Sequence, residues 1–445
     1  MKIVNIASST VIVETKNLKI LMDPWLVDGE YYGSWYHYPK IEIDKIDLES
    51  ITHIYLSHIH PDHFSIKSFE LLNRDIPVFI HNYDAKFLKS NIERLGFNVI
   101  ELDHGLCYKL SEEVNITIFA ADNCNPELCN KFLGCSNVES NYKSTQIDSM
   151  ALISDGQYNI LNTNDCPYEL SIGVVDKIMS KYNSIDFLLV GYCGAGPYPQ
   201  CFKLESADLE KAKEDKMTQF LESGIRYLEK IRPKFYMPFA GTYVLSGSLV
   251  HLNKNRGIPE LHEALKFYEN FSYKFGSKGI LLNQNQYFDL SKGTQSNAYE
   301  IVDYATRDEY INETLSKVKF DYQENDNFSE ETILALIPLA FDRLVKKKLQ
   351  IGFKTNTKLF IKISEKNDIC IDFANNSFSV VSPQSHQHSL GFVRIELDNR
   401  LLFRLLNGPK YGHWNNAEIG SHLLFERNPN VFERGLYHVL SFFHI

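Results

Sequence analysis

The sequence predicts an α+β protein of two domains whose polar chemistry sits at strand ends. Three observations predict it. Short apolar runs bounded by turn residues alternate with a few longer amphipathic stretches. Aspartates and histidines recur where apolar runs stop. The length, 445 residues, divided by about 150 per domain suggests two to three domains and leaves enough chain for a sizeable core.

Residues 3–7, 10–14 and 18–22 read as successive strands of a meander, with Lys16 and Asn17 in the second turn. Pro24 cannot donate to a ladder, so the third strand stops there and leaves Asp23 at its tip. A fourth strand, 51–57, delivers His58-Ile59-His60-Pro61-Asp62-His63. Ile66, Phe69 and Leu72 then fall at helical spacing over 64–73, and 77–80 returns as a strand. Strand 116–121 ends at Asp122. Residues 151–154 and 158–162 form a hairpin around Asp155-Gly156, and its second arm runs into Asn164-Asp165. Strand 186–191 feeds a glycine-rich loop, Gly191 to Pro197. The longest amphipathic stretch, 207–232, puts Leu209, Phe220, Leu221, Leu228 and Ile231 on one stripe and stops at Pro233, before strand 235–239.

The composition changes after residue 265, which places a metal-binding domain at 1–265 and a C-terminal α+β domain at 290–445. The second domain reads as helices over 296–318 and 330–346 around a polar gap at 321–328. Strands are expected at 350–354, 358–363, 369–373 and 393–397, then a helix over 401–406 capped by Gly408.

Composition excludes several classes. With 46 basic against 56 acidic side chains, the formal charge of −10 disfavours a grip on nucleic-acid phosphates. The N-terminus alternates apolar and charged residues, so it is read as neither a signal peptide nor a membrane span, and the expected location is cytoplasmic. Eight cysteines are too dilute for a disulfide scaffold, and the C-x4-C-x5-C spacing of Cys124, Cys129 and Cys135 fits neither zinc nor iron–sulfur patterns. Gly191-x-x-Gly194-x-Gly196 is not the dinucleotide fingerprint, because Pro197 follows where a helix should start; NAD is not expected.

The sharpest signal is His58-x-His60-x-Asp62-His63. Three imidazoles and a carboxylate lie on one turn between a strand and a helix, and imidazole with carboxylate suits zinc or iron. On an extended segment His58 and His60 point the same way and can grip one ion. Asp62 and His63, past the proline, can reach a second, and paired ions activate water or dioxygen. His37, His53, His81 and His104 need no such role.

This string resembles the signature of the metallo-β-lactamase fold, an αββα sandwich with metals at the edge between two sheets. The resemblance implies that Asp23, in Asp23-Pro24-Trp25, is a supporting aspartate behind the ligands and that Asp165 is the metal-bridging one. It covers roughly residues 1–265. Two family histidines have no counterpart: none lies between 104 and 251, so either a carboxylate stands in for the third, Asp122 first and Asp148 second, or that ligand is missing. For the last histidine, expected after strand 235–239, only His251 could serve. Exchanging histidine for carboxylate makes the site harder and favours two iron ions, with zinc the alternative. Blocks at 23–26, 160–166, 237–243 and 414–443 are similar to the CMP-N-acetylneuraminate hydroxylase family, but the paired C-x-H and C-x-x-H of its Rieske centre are missing. Electrons would then come from a separate donor protein or from the substrate. The C-terminal domain resembles a sterol-carrier arrangement, and a cap over the site or a dimer contact explains it equally, with 414–420 as the candidate surface.

The expected function is therefore a dinuclear-metal oxygenase that hydroxylates a small metabolite such as a sugar nucleotide. Asp62 and Asp165 would be its catalytic carboxylates, and His58, His60, Asp62, His63, Asp122, Asp165 and His251 its metal ligands. The aromatic run Trp25, Tyr31, Tyr32, Trp35, Tyr36 and Tyr38 either walls the pocket or packs on the second domain. The alternatives are a zinc hydrolase of an ester, lactone or phosphodiester, and a non-catalytic binding protein on a degenerate fold.

Overall fold

The computed structural model describes residues 1–121, 148–324 and 329–445. Two mixed sheets form the N-terminal body. The first runs Thr294–Gln295, Tyr287–Asp289, Lys2–Ala7, Thr10–Glu14, Lys19–Met22, His53–Tyr55, Val78–His81, Val99–Leu102, and the last four of these strands are parallel. The second runs Lys278–Gly279, Phe235–Phe239, Phe187–Gly191, Asn159–Asn162, Ser149–Ser154, Asn115–Ala120, Cys107–Lys109.

Alternation along the strands explains why these two sheets stack. Val11, Val13, Ile20, Met22 and Tyr55 of the first sheet meet Ile116, Ile118, Ala151, Ile153, Phe187 and Leu189 of the second in one buried layer. The intervening residues face outwards. Ile12, Leu21, Ile54 and Leu56 pack under the helices Ile66–Phe69 and Phe87–Arg94, whereas Leu161, Leu188 and Val190 pack under Tyr168–Lys181, Ser206–Ile231 and Leu261–Ser272. Period-two patterning with both faces apolar demands cover on both sides, and the result is a metallo-β-lactamase-like αββα sandwich. Removing one large side chain from the buried layer should cost about 2–5 kcal/mol.

The sandwich continues beyond residue 265, because strands up to Gln295 complete its sheets. The C-terminal body has a five-stranded sheet, Ser377–Val381, Asp368–Asp372, Lys358–Lys362, Phe392–Glu396, Leu424–Asn428, covered by Glu330–Gln350 and Asn399–Leu406. The strand expected at 350–354 does not form. The preceding helix runs on to Gln350 and stops in a turn at Gly352, which adopts φ +67° while Ile351 is buried in the core. Buried Arg394 pairs with fully buried Asp368 at 2.6 Å, so this sheet carries its own internal ion pair. Trp25, Tyr31, Trp35 and Tyr243 of the first body share one apolar cluster with Ile333, Leu405, Trp414 and Phe425 of the second. Trp25, Tyr31, Tyr32 and Trp35 of the aromatic run thus pack between the two bodies, Tyr36 and Tyr38 pack with Val244, Ile311 and Leu315, and Tyr31 also reaches Asp62.

Candidate metal centre

The turn 57–63 follows the parallel strand His53–Tyr55, where chain leaving the sheet has no ladder left to satisfy. Fully buried Ser57 and His58 begin it. The His63 and Phe64 amides both donate to the His60 carbonyl, which closes the turn. Asp23 lies at the end of the neighbouring strand with φ 46°, a left-handed conformation that costs free energy for any residue with a side chain. That conformation turns its carboxylate towards the histidines. The Ser57 amide and hydroxyl each donate to it at 2.7 Å, and His63 Nδ1 lies 2.9 Å from Oδ2.

Each of the three histidines has one nitrogen held by the protein. His63 Nδ1 is on Asp23, which leaves Nε2 at 3.5 Å from Asp165 Oδ1 and 3.6 Å from Asp62 Oδ2. The Ser57 hydroxyl gives its proton to Asp23, so its contact with His58 at 2.9 Å is accepted from Nδ1–H, and His58 Nε2 is left to bind. His60 Nε2 meets Asn415 Oδ1 at 3.2 Å, freeing Nδ1 at 2.9 Å from His58 Nε2. That spacing is close to a coordination edge of about 3 Å, as expected when metal–nitrogen bonds are about 2.0–2.1 Å long. Fixing one ring nitrogen to orient the other is how proteins prepare imidazole for a metal.

Two sets of ligand atoms lie within 4.8 Å of one another: His58, His60 and Asp148, and His58, His63 and Asp165. The donor set fits a pair of ions, with His58 between them. The charges agree. Burial and the neighbouring imidazoles push His58 well below its ordinary range, so it stays a neutral donor. Burial also lowers His60. Burial would lower His63 as well, but Asp165, Asp62 and Asp23 outweigh it and raise His63 well above its usual range. Burial works against ionised Asp165, yet His63 wins and holds that carboxyl below the usual carboxylate range.

Of the expected ligands, His58, His60, Asp62, His63 and Asp165 come together, and Asp23 stands behind His63. Asp148 joins His58 and His60, whereas Asp122 lies outside the described residues, as do Cys124, Cys129 and Cys135. The structure does not bring His251 into either set. That residue is exposed on the short helix Gly247–Asn255, its Nδ1 held by the Ser248 carbonyl. The glycine loop serves close packing: a Cβ on Gly194 would fall 2.3 Å from the Phe220 ring.

Two contributors lie far from the motif. Tyr31 donates its hydroxyl to Asp62 Oδ1 at 2.5 Å, leaving Oδ2 on the side of His63. Asn415 reaches His60 from the C-terminal helix Trp414–Ile419, so the second body touches the site directly. No local pattern signals Asn415, which is 355 residues from its partner.

No protein-family profile matches the chain, and no curated protein sequence does. Among solved structures it is similar to an isothiocyanate hydrolase from Delia radicum gut bacteria, at 12% identity over 65% of this chain and 99% of that one, TM-score 0.45. A possible metal-dependent hydrolase from Veillonella parvula gives 13% identity over 64% and 98%, TM-score 0.46. CmlA, a diiron β-hydroxylase from Streptomyces venezuelae, gives 13% over 63% of this chain and 52% of its own length, TM-score 0.42. Among the described residues no helix is long and apolar enough to cross a membrane.

Proposed function

We propose that this chain is a dinuclear-metal oxygenase, with iron as its metal and a small metabolite such as a sugar nucleotide as its substrate. The observation that carries the reading is Asp148, whose Oδ1 stands 3.6 Å from His58 Nε2 where a histidine-only set would have an imidazole. With Asp165 and Asp62 the donor set becomes three carboxylates and three imidazoles, a harder and more anionic set that favours iron over zinc. The likeness of several sequence blocks to the CMP-N-acetylneuraminate hydroxylases points the same way.

His58, His60 and Asp148 would hold one ion, and His63, Asp165 and Asp62 the other. Bound there, the pair would supply activation of dioxygen. The protein's own part is positional. Ser57, Asp23 and Asn415 fix the three rings, Tyr31 aims Asp62, and the shared aromatic cluster excludes water behind them. Hydroxylation needs two electrons that these residues do not carry, so a separate donor protein or the substrate provides them.

The three imidazoles are equally good zinc donors, and this favours a second reading as a zinc hydrolase of an ester, lactone or phosphodiester. Metal analysis of the full chain, purified without chelator and followed by oxygen-electrode assays with a chemical reductant, separates the readings. Iron with reductant-dependent oxygen uptake supports the oxygenase. Zinc with no oxygen uptake supports the hydrolase, and no metal at all would leave a binding protein.

A further inference from the structure

A cavity of about 310 Å³, a size suited to small ligands, is lined by Tyr192, Tyr243, Arg256, Gln284 and Arg307 among others. Its charges are unequal in one respect. Arg307 is paired with Glu260 at 2.8 Å, Glu42 with Lys45 at 2.8 Å, and His37 with Asp28 at 2.8 Å. Arg256 has no carboxylate within ion-pairing distance among the described residues, and its Nε and Nη1 are buried without an acceptor. Its guanidinium is stacked 4.4 Å from the centre of the Tyr243 ring, and that ring is itself stacked on Trp35 at 3.4 Å. Gln284 is held by the Glu42 amide through Oε1, and its Nε2 is a second donor with no acceptor.

Two buried guanidinium nitrogens left without an acceptor are costly even where the rest of the half-buried side chain is partnered by Tyr243, because those donors forgo water and gain nothing. Such an arrangement persists where a ligand completes it, and planar guanidinium suits carboxylate and phosphate oxygens. The cavity reaches the chain neighbour of a residue that holds the histidine turn. Ser8 and Gly241 line the cavity, and Ser9 holds the Asp62 carbonyl at 2.5 Å. Burial pushes the Cys193 thiol up to about 12; Asp165 adds to that rise, and Lys216 and Arg256 act against it. Lys216 is tied by its Nζ to the Tyr198 carbonyl at 2.7 Å, and burial lowers it to about 8.

We infer that this cavity is an anion subsite in which Arg256, assisted by Gln284, receives a carboxylate or phosphate group of the substrate while the tyrosine walls hold the rest of the molecule. The inference deepens the reading above and rests on it only for the neighbouring chemistry, since the binding itself needs no metal. Inorganic phosphate and acetate would be titrated calorimetrically into the full chain, metal-free and metal-loaded, at matched ionic strength. Saturable binding of at least one of them in both states is expected, weakened at least about tenfold in Arg256→Gln and partly kept in Arg256→Lys. In the wild type the bound anion should also protect Arg256 from phenylglyoxal in a peptide mass map, a readout that needs no variant. Unchanged binding by a folded Arg256→Gln protein, no saturable binding of either anion by the wild type, or binding only when metal is present would each overturn the subsite. Metal content measured on the same samples reports separately on the metal centre.

Discussion

The two sides of the candidate metal centre are built by opposite means. The histidine side is local: Ser57, His58, His60, Asp62 and His63 lie on one turn, and their main support, Asp23, is on the adjacent strand. The tyrosine side is assembled from a distance. Tyr31 and Tyr32 have φ of 51° and 62°, left-handed values that non-glycine residues hold only when the surroundings insist. The surroundings here are the second body. His422 Nε2 meets the Tyr31 carbonyl at 2.8 Å across 391 positions, the His413 amide donates to the Tyr32 hydroxyl at 2.7 Å, and a Cβ on Gly420 would fall 2.8 Å from that of Tyr31. The turn supplies most of the candidate ligands, and the clamp sets how one of them, Asp62, is aimed.

Substitutions can separate the two. The largest effect is expected from His58→Ala, which removes the donor common to both sets. Metal affinity should fall by more than about 100-fold, beyond the 10–100-fold typical of outer partners, with the far-ultraviolet spectrum unchanged. Asp148→Ala should come next, leaving about one ion per chain by elemental analysis, because His63, Asp165 and Asp62 are untouched. Asn415→Ala, on the clamp side, should weaken metal binding about tenfold through the loosened His60 ring. An effect as large as that of His58→Ala would mean that the second body is a full half of the site. Tyr31→Phe keeps the loop and removes one buried donor, so about 1–2 kcal/mol of stability should be lost in urea unfolding while two ions still bind.

The smallest effect concerns pH. Burial raises Glu418, on the clamp helix, to about 7 from its ordinary 4.5, so the fold prefers its neutral form. That preference is fully present below pH 4.5 and is lost progressively as pH rises to about 7. Glu418→Gln should match the wild type at pH 4 and exceed it at pH 8 by on the order of 1 kcal/mol, after discounting for partial exposure. Equal stabilities at both pH values would show that burial does not hold the Glu418 carboxyl neutral.

What could be read from the sequence follows the same division. The strands of the sandwich were legible because both faces of each are apolar and turn residues bound them, as in Val11 to Val13 or Phe187 to Val190. The histidine turn was legible because all its donors are neighbours in the chain. The helix end near 350 was misjudged because Leu349, Gln350 and Ile351 read as well as strand as they do as helix, and only the tertiary burial of Ile351 decides. Asn415, Tyr31 and Arg256 act through contacts made by the folded chain, and a lone asparagine, tyrosine or arginine carries no periodic or spacing signal.

The most direct test of the dinuclear centre is titration of ferrous iron into the metal-free full chain under anaerobic conditions, followed by optical and Mössbauer spectroscopy after exposure to oxygen. Two equivalents should bind with a sharp break, and the oxidised sample should show a coupled iron pair that is lost in His58→Ala. A break at one equivalent, or two uncoupled irons that survive His58→Ala, would contradict it.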